Sequence, residues 1–123
     1  REIYPRLADL GAKMRTAFES AFAEAGILTR CTGDVPDLDC GSSLVTVHFP
    51  FEESTRLDTP EAVFDPAVCD VPLRHDVLGL ALLLEDVHLV LAHGSAATTH
   101  TDGDVDFLAD ACRRAAARIS RVR

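Results

Sequence analysis

The last quarter of the chain places the tightest constraint on its fold. Val105, Leu108, Cys112, Ala115, Ile119 and Val122 recur at steps of three and four, the spacing of one buried helix face. Thr101 stands where such a helix would begin, and its hydroxyl can accept a bond from a free backbone N–H of the first turn. Asp104, three residues on, completes a Thr-x-x-Asp variant of the capping box. Asp102, Asp104 and Asp106 put negative charge at the positive end of the helix dipole, and Arg113, Arg114, Arg118 and Arg121 crowd the other end. An amphipathic helix of this length needs a layer to cover its apolar face.

The rest of the chain supplies that layer. Ile3, Leu7, Leu10, Met14, Ala17, Ala21 and Ala25 define a first helix, with Gly26 as its stop. Ile27 to Cys31 is a short strand candidate, and residues 32–39 read as a polar turn. The β-branched and aromatic run Leu44 to Phe49 is the strongest strand, ended by Pro50. Residues 52–71 show little periodicity and are punctuated by proline, which predicts a long connection with at most one short helical turn. Leu73, Val77, Leu80 and Leu84 mark a second helix, with Leu78, Leu82 and Leu83 widening its apolar arc towards a second surface. Val87 to Leu91 is a predicted strand, and Ala92-His93-Gly94-Ser95 a predicted turn into another. The expected fold class is α+β: a two-layer sandwich with a small, mostly antiparallel sheet and helices packed on one face.

Composition narrows the function. At 123 residues the chain is read as a single domain, 1–123. A formal charge of −8 and few aromatic residues argue against a nucleic-acid surface. The longest apolar run, Val77 to Leu84, is far short of a membrane span, and no secretory signal opens the chain. The expectation is therefore no membrane and a cytoplasmic location. Cys31, Cys40, Cys69 and Cys112 include no C-x-x-C pair and are expected to stay unpaired.

Several residues invite chemistry that their spacing does not support. His48, His88, His93 and His100 lack the H-x-x-x-H or H-E-x-x-H spacing of a zinc site, so no metal site is expected. Asp102, Asp104 and Asp106 mimic the start of a calcium loop. Phe107 and Arg113 occupy the positions where that loop needs its glycine and its bidentate glutamate. Ser42 and Ser43 start a strand without a nucleophile elbow. Asp34, Asp37 and Asp39 read as a solvated turn.

Three segments together resemble the C-terminal domain of class III pyridoxal-phosphate aminotransferases, nearest to the glutamate-1-semialdehyde aminotransferase group. Residues 4–15, Tyr-Pro-Arg-Leu-Ala-Asp-Leu-Gly-Ala-Lys-Met-Arg, are similar to that family's helix Y-x-x-L-x-x-L-G-x-x-L-x. Gly41-Ser42-Ser43-Leu44-Val45-Thr46-Val47-His48-Phe49 resembles its G-S-M-F-x-x-x-F strand. Leu82 to Leu89 and then Thr98-Thr99-His100-Thr101-Asp102-Gly103-Asp104-Val105-Asp106 resemble its final helix–strand–helix passage.

The resemblance implies pyridoxal phosphate for a parent enzyme, with the Schiff-base lysine in a larger domain upstream. It also implies that this chain alone binds no cofactor. Its single lysine, Lys13, lies on a predicted solvated helix face, so no catalytic or cofactor-binding residue is expected here. The turn His93, Gly94 and Ser95 would project into the substrate cleft, although the family's aromatic and acidic residues are missing there. His100, Thr101 and Asp104 would form a structural cap, with His100 donating to a backbone carbonyl. The expected role is to close the cleft and support assembly with a large cofactor-binding domain, as a homodimer. The chain would then be a piece of a longer enzyme or a domain that has lost its partner. The alternatives are a free-standing protein-interaction module descended from that domain, or an unrelated α+β ligand-binding domain.

Overall fold

The computed structural model describes residues 2–34 and 41–123; residues 35–39 of the predicted polar turn over 32–39, and Cys40, lie outside the described residues. The chain runs through α1 (Ile3–Glu24), β1 (Arg30–Thr32), β2 (Leu44–His48), α2 (Pro60–Phe64), a π-helical turn (Leu73–Val77), α3 (Leu78–Leu83), β3 (His93–Ser95) and α4 (Asp102–Val122). The strands form an antiparallel sheet in the order β1-β2-β3. Cys31 pairs with Val47 on one side of β2, and Gly94 with Val45 on the other. Among the described residues no helix is long and apolar enough to cross a membrane.

Alternation along β2 sends Val45 and Val47 inward, where both are buried. They meet Phe18 and Phe22 of α1, Leu78 and Leu82 of α3, and Cys112 of α4 in one continuous core. Phe22 also packs on Phe49, with ring centroids 5.5 Å apart. α1 lies on β1 and β2, and α4 lies along α1. The long helices α1 and α4 thus lie on one face of the sheet, an α+β two-layer arrangement. Phe18 and Phe22 carry the α1 contact, although the three-four pattern of small and aliphatic residues passes them by. Ile3, at the start of that pattern, is exposed.

Two family-like segments meet in this layer. Gly11 of α1 faces the backbone entering β2 so closely that a Cβ there would lie 2.4 Å from the Ser42 carbonyl oxygen. One turn on, the buried Arg15 donates through Nη1 to the carbonyls of Ser42 at 3.2 Å and Leu44 at 2.6 Å. The missing side chain lets the helix approach, and the arginine satisfies the carbonyls that approach would strand from water.

Two expectations need correction. Val87 to Leu91 is not a strand: only Val90 makes a bridge, to His93. Leu91 and Ala92 take φ of 52° and 64°, the positive values that a two-residue hairpin turn requires at both centres. The predicted turn is instead the strand β3. Neither Leu91 nor Ala92 is a residue that announces positive φ, so the apolar run disguises the reversal.

The second correction concerns the helical segment after Pro72. Its first turn is π-helical, the Leu78 N–H bonding to Leu73 O. The extra residue rotates the buried face. Leu73, Leu78, Ala81 and Leu82 are buried, whereas Val77, Leu80 and Leu84 are exposed. The rotation also brings Arg74 inside, where it is only 4% exposed.

Candidate functional site

Strand β3 carries the three cleft candidates, and its alternation separates them. His93 pairs with Thr46 and Ser95 with Leu44, so these two side chains share the sheet face turned away from the long helices α1 and α4. His93 Nδ1 lies 3.0 Å from Thr46 Oγ1, and Ser95 Oγ lies 3.1 Å from Ser43 Oγ. Gly94 sits between them and leaves room for Leu89, whose Cδ2 would be 3.1 Å from a Cβ at that position. The strand therefore presents two short polar ladders, each tied to β2 or the turn before it.

The chain then turns the corner into α4. Ala96 N–H donates to Ser43 O, and Ala97 N–H donates to His100 Nδ1 at 2.8 Å. His100 thus accepts through its ring instead of donating to a carbonyl, because the free donor at this corner is the Ala97 amide. Its own carbonyl accepts from Arg6 Nη2 at 2.9 Å. Asp104 N–H donates to Thr101 Oγ1 at 3.3 Å while Thr101 N–H donates to Asp104 Oδ2 at 2.7 Å. Both halves of the capping box are present. The amide of Thr101, followed by its hydroxyl, holds the Asp104 carboxyl below the usual carboxylate range. His88 and His100 line a groove of about 400 Å³ between this corner and the loop after α3.

Lys13 has the wrong environment for Schiff-base chemistry. Its Nζ is clamped by Asp9 at 2.8 Å and Asp102 at 2.9 Å. Those hydrogen bonds raise its pKa well above the ordinary lysine range. A lysine that attacks a carbonyl needs a depressed pKa and a free electron pair. Lys13, the one lysine in the sequence, is instead held protonated in an exposed clamp.

On the outer sheet face two histidines already weighed from the sequence, His48 and His93, meet a group the sequence pattern missed, Arg74. His48 is 3% exposed; its Nε2 lies 2.8 Å from Thr32 Oγ1, and its Nδ1 has no hydrogen-bond partner among the described residues. Burial, then the charge of Arg74 and the ring of His93, push the His48 pKa down to about 4. Burial and Arg74 lower His93 in the same direction. Arg74 reaches this face with Nε donating to Val47 O at 2.9 Å and its guanidinium 5.3 Å from the Phe64 ring centre. Only the π-helical turn places Arg74 there, and no local pattern signals it. The four histidines weighed as ligands split between this face and the groove beside α4. No group of three or more His, Cys, Asp or Glu side chains is placed to hold a metal among the described residues.

Over 96% of its length the chain superposes on part of an omega-transaminase from Sphaerobacter thermophilus, with a TM-score of 0.66 and 26% identity. The fold is that of an aminotransferase small domain. The match covers 24% of the transaminase chain, so this chain spans about a quarter of that protein's length. No family model matches the sequence, and no curated protein does either.

Proposed function

We propose that this chain is the C-terminal small domain of a class III pyridoxal-phosphate transaminase, closing over a cofactor that a larger domain holds. The observation that carries this reading is the near-complete superposition of the chain on one quarter of the omega-transaminase, at 26% identity. The clamped state of Lys13 agrees with it, since the Schiff-base lysine must then come from elsewhere. The finer placement near the glutamate-1-semialdehyde aminotransferase group rests on the helix motif around Gly11, the Gly41-Ser42-Ser43 entry to β2 and the His100-Thr101 entry to α4. In this role His93, Gly94 and Ser95 form the edge nearest the substrate cleft.

Leu80, Leu83 and Leu84 are more than half exposed, as are Val90 and Leu91. Apolar surface on this scale supports contact with a large domain or a second subunit, in a cytoplasmic homodimer. The decisive test begins with the coding DNA ahead of Arg1. An in-frame large domain with a cofactor lysine, and transamination by the protein expressed from the whole frame, would support the reading. A frame with no such domain would overturn it in favour of an interaction module that uses the same leucines for a protein partner.

A further inference from the structure

On the outer face of the sheet, Arg74 is a buried cation with no anion beside it among the described residues. Arg74 is 4% exposed, and its contacts are the Val47 carbonyl, the His75 Nε2 at 3.0 Å and the face of Phe64. No carboxylate lies within 4 Å of its guanidinium among the described residues, in a chain whose formal charge is −8. A buried charge left without a partner is costly, and proteins rarely keep one. His48 adds a second unmet demand a short way off. When the Thr32 hydroxyl donates to His48 Nε2, the proton of the neutral ring sits on Nδ1, a buried N–H with nothing to receive it.

Arg74 and His48 border the same recess, of about 330 Å³, between the sheet and the segment around α2. Thr32, Thr46, Thr59 and His93 add polar groups to its lining, and Leu57, Val63 and Phe64 form an apolar wall. Asp58 also borders it, but its carboxylate is bound to Arg56 Nη2 at 2.6 Å and its charge is balanced there.

We propose that this recess binds a short organic carboxylate, with the carboxylate against Arg74 and His48 and an apolar tail along Leu57, Val63 and Phe64. A planar carboxylate matches a guanidinium edge and would balance the Arg74 charge, with His48, whose Nδ1 lacks a partner among the described residues, beside it in the same lining. The apolar wall selects against a bare inorganic oxyanion. The site uses only groups of this chain and needs no cofactor, so it stands or falls separately from the transaminase reading.

Butyrate, acetate, inorganic phosphate and chloride are the probes, titrated at constant ionic strength into the 123-residue chain. The readouts are the NMR signals of the His48 and His93 rings and of the Arg74 Nε–H. Saturable shifts of all three with butyrate are expected, with butyrate stronger than acetate because its two extra methylenes are buried. Arg74→Gln should weaken butyrate at least about tenfold, the worth of one charge-assisted bond. Because Arg74 also holds Val47, His93→Glu is the second variant: it changes an exposed position and offers the recess a carboxylate of its own, and it too should weaken butyrate at least about tenfold. Butyrate shifts no larger than those with chloride would overturn the proposal, as would phosphate binding as tightly as butyrate. Undiminished butyrate affinity in folded His93→Glu would do the same.

Discussion

The Nε–H of Arg74 donates to the carbonyl of Val47 at 2.9 Å, taking a place on β2 that a longer β3 would have filled. The Val47 N–H still bonds to Ala92 O, but the chain then reverses through Leu91. A strand carbonyl in the core interior needs an acceptor's partner as much as any other. The arginine supplies it from the π-helical turn, and in doing so enters a buried position beside His48.

That neighbourhood makes stability depend on pH through His48. Its folded pKa, about 4, lies below the ordinary histidine value of 6.5. The unfolded chain therefore binds the extra proton first, between about pH 6.5 and 4. Stability from this group is complete above pH 6.5 and is lost as pH falls through that window, by an amount of order 3 kcal/mol. His93 contributes in the same direction. Urea midpoints from pH 7.5 to 4.5 should fall for the native chain, with a shallower slope in His48→Phe. Parallel slopes would show that His48 is not held neutral.

Thr101→Ala removes the hydroxyl that accepts from the Asp104 amide and should cost about 0.5–2 kcal/mol, with Thr101→Ser costing much less. Chemical denaturation of the two variants checks this. Equal stability in both would place the start of α4 elsewhere.

Two glycines in helices should respond in opposite ways. Gly11→Ala drives a Cβ to 2.4 Å from backbone that cannot swing aside, so a loss of about 1–3 kcal/mol is expected. A Cβ on Gly79 would meet nothing within 4 Å, so Gly79→Ala should gain about 0.5–1 kcal/mol from helix propensity. Thermal melts of both variants decide the matter, and a neutral Gly11→Ala would mean that α1 can slide off the Ser42 backbone.

Mixed with pyridoxal phosphate and desalted, the isolated chain should retain no visible absorbance band. Asp9 and Asp102 keep the Lys13 amine protonated. A stable band that disappears in Lys13→Ala would contradict the geometry of that clamp.

Leu80 and Leu84, each about two-thirds exposed, stand clear of the core. Light scattering should show concentration-dependent association of the isolated chain, reduced by Leu80→Ser with Leu84→Ser. A monomer at every concentration, with no binding of a hydrophobic dye, would leave these leucines without a partner to explain them.

The order of the major elements follows from local chemistry, which a sequence displays directly. The Thr101–Asp104 box, the charge gradient along α4 and the β-branched run into His48 each specify an element through neighbours at most four residues away. The two long helices and β2 were legible for that reason, as was the short helical turn within 52–71. The faces those elements present were less so. Phe18 and Phe22 fill the core because α4 and β2 meet α1 there, a fact no repeat of three and four can carry.

Tertiary structure alone decided the rest. The reversal at Leu91 and Ala92 is imposed on apolar residues by pairing of β3 with β2, and it exchanged the predicted strand with the predicted turn. The π-helical turn moved the buried face of α3 by one residue, exposed Leu80 and Leu84, and carried Arg74 inward. The recess that joins Arg74 to His48 draws on residues 26 positions apart in sequence and on Thr46 and His93 from two strands. Periodicity records how a segment repeats along its own axis; it holds no information about which distant carbonyl lacks a donor, and that need is what placed the arginine.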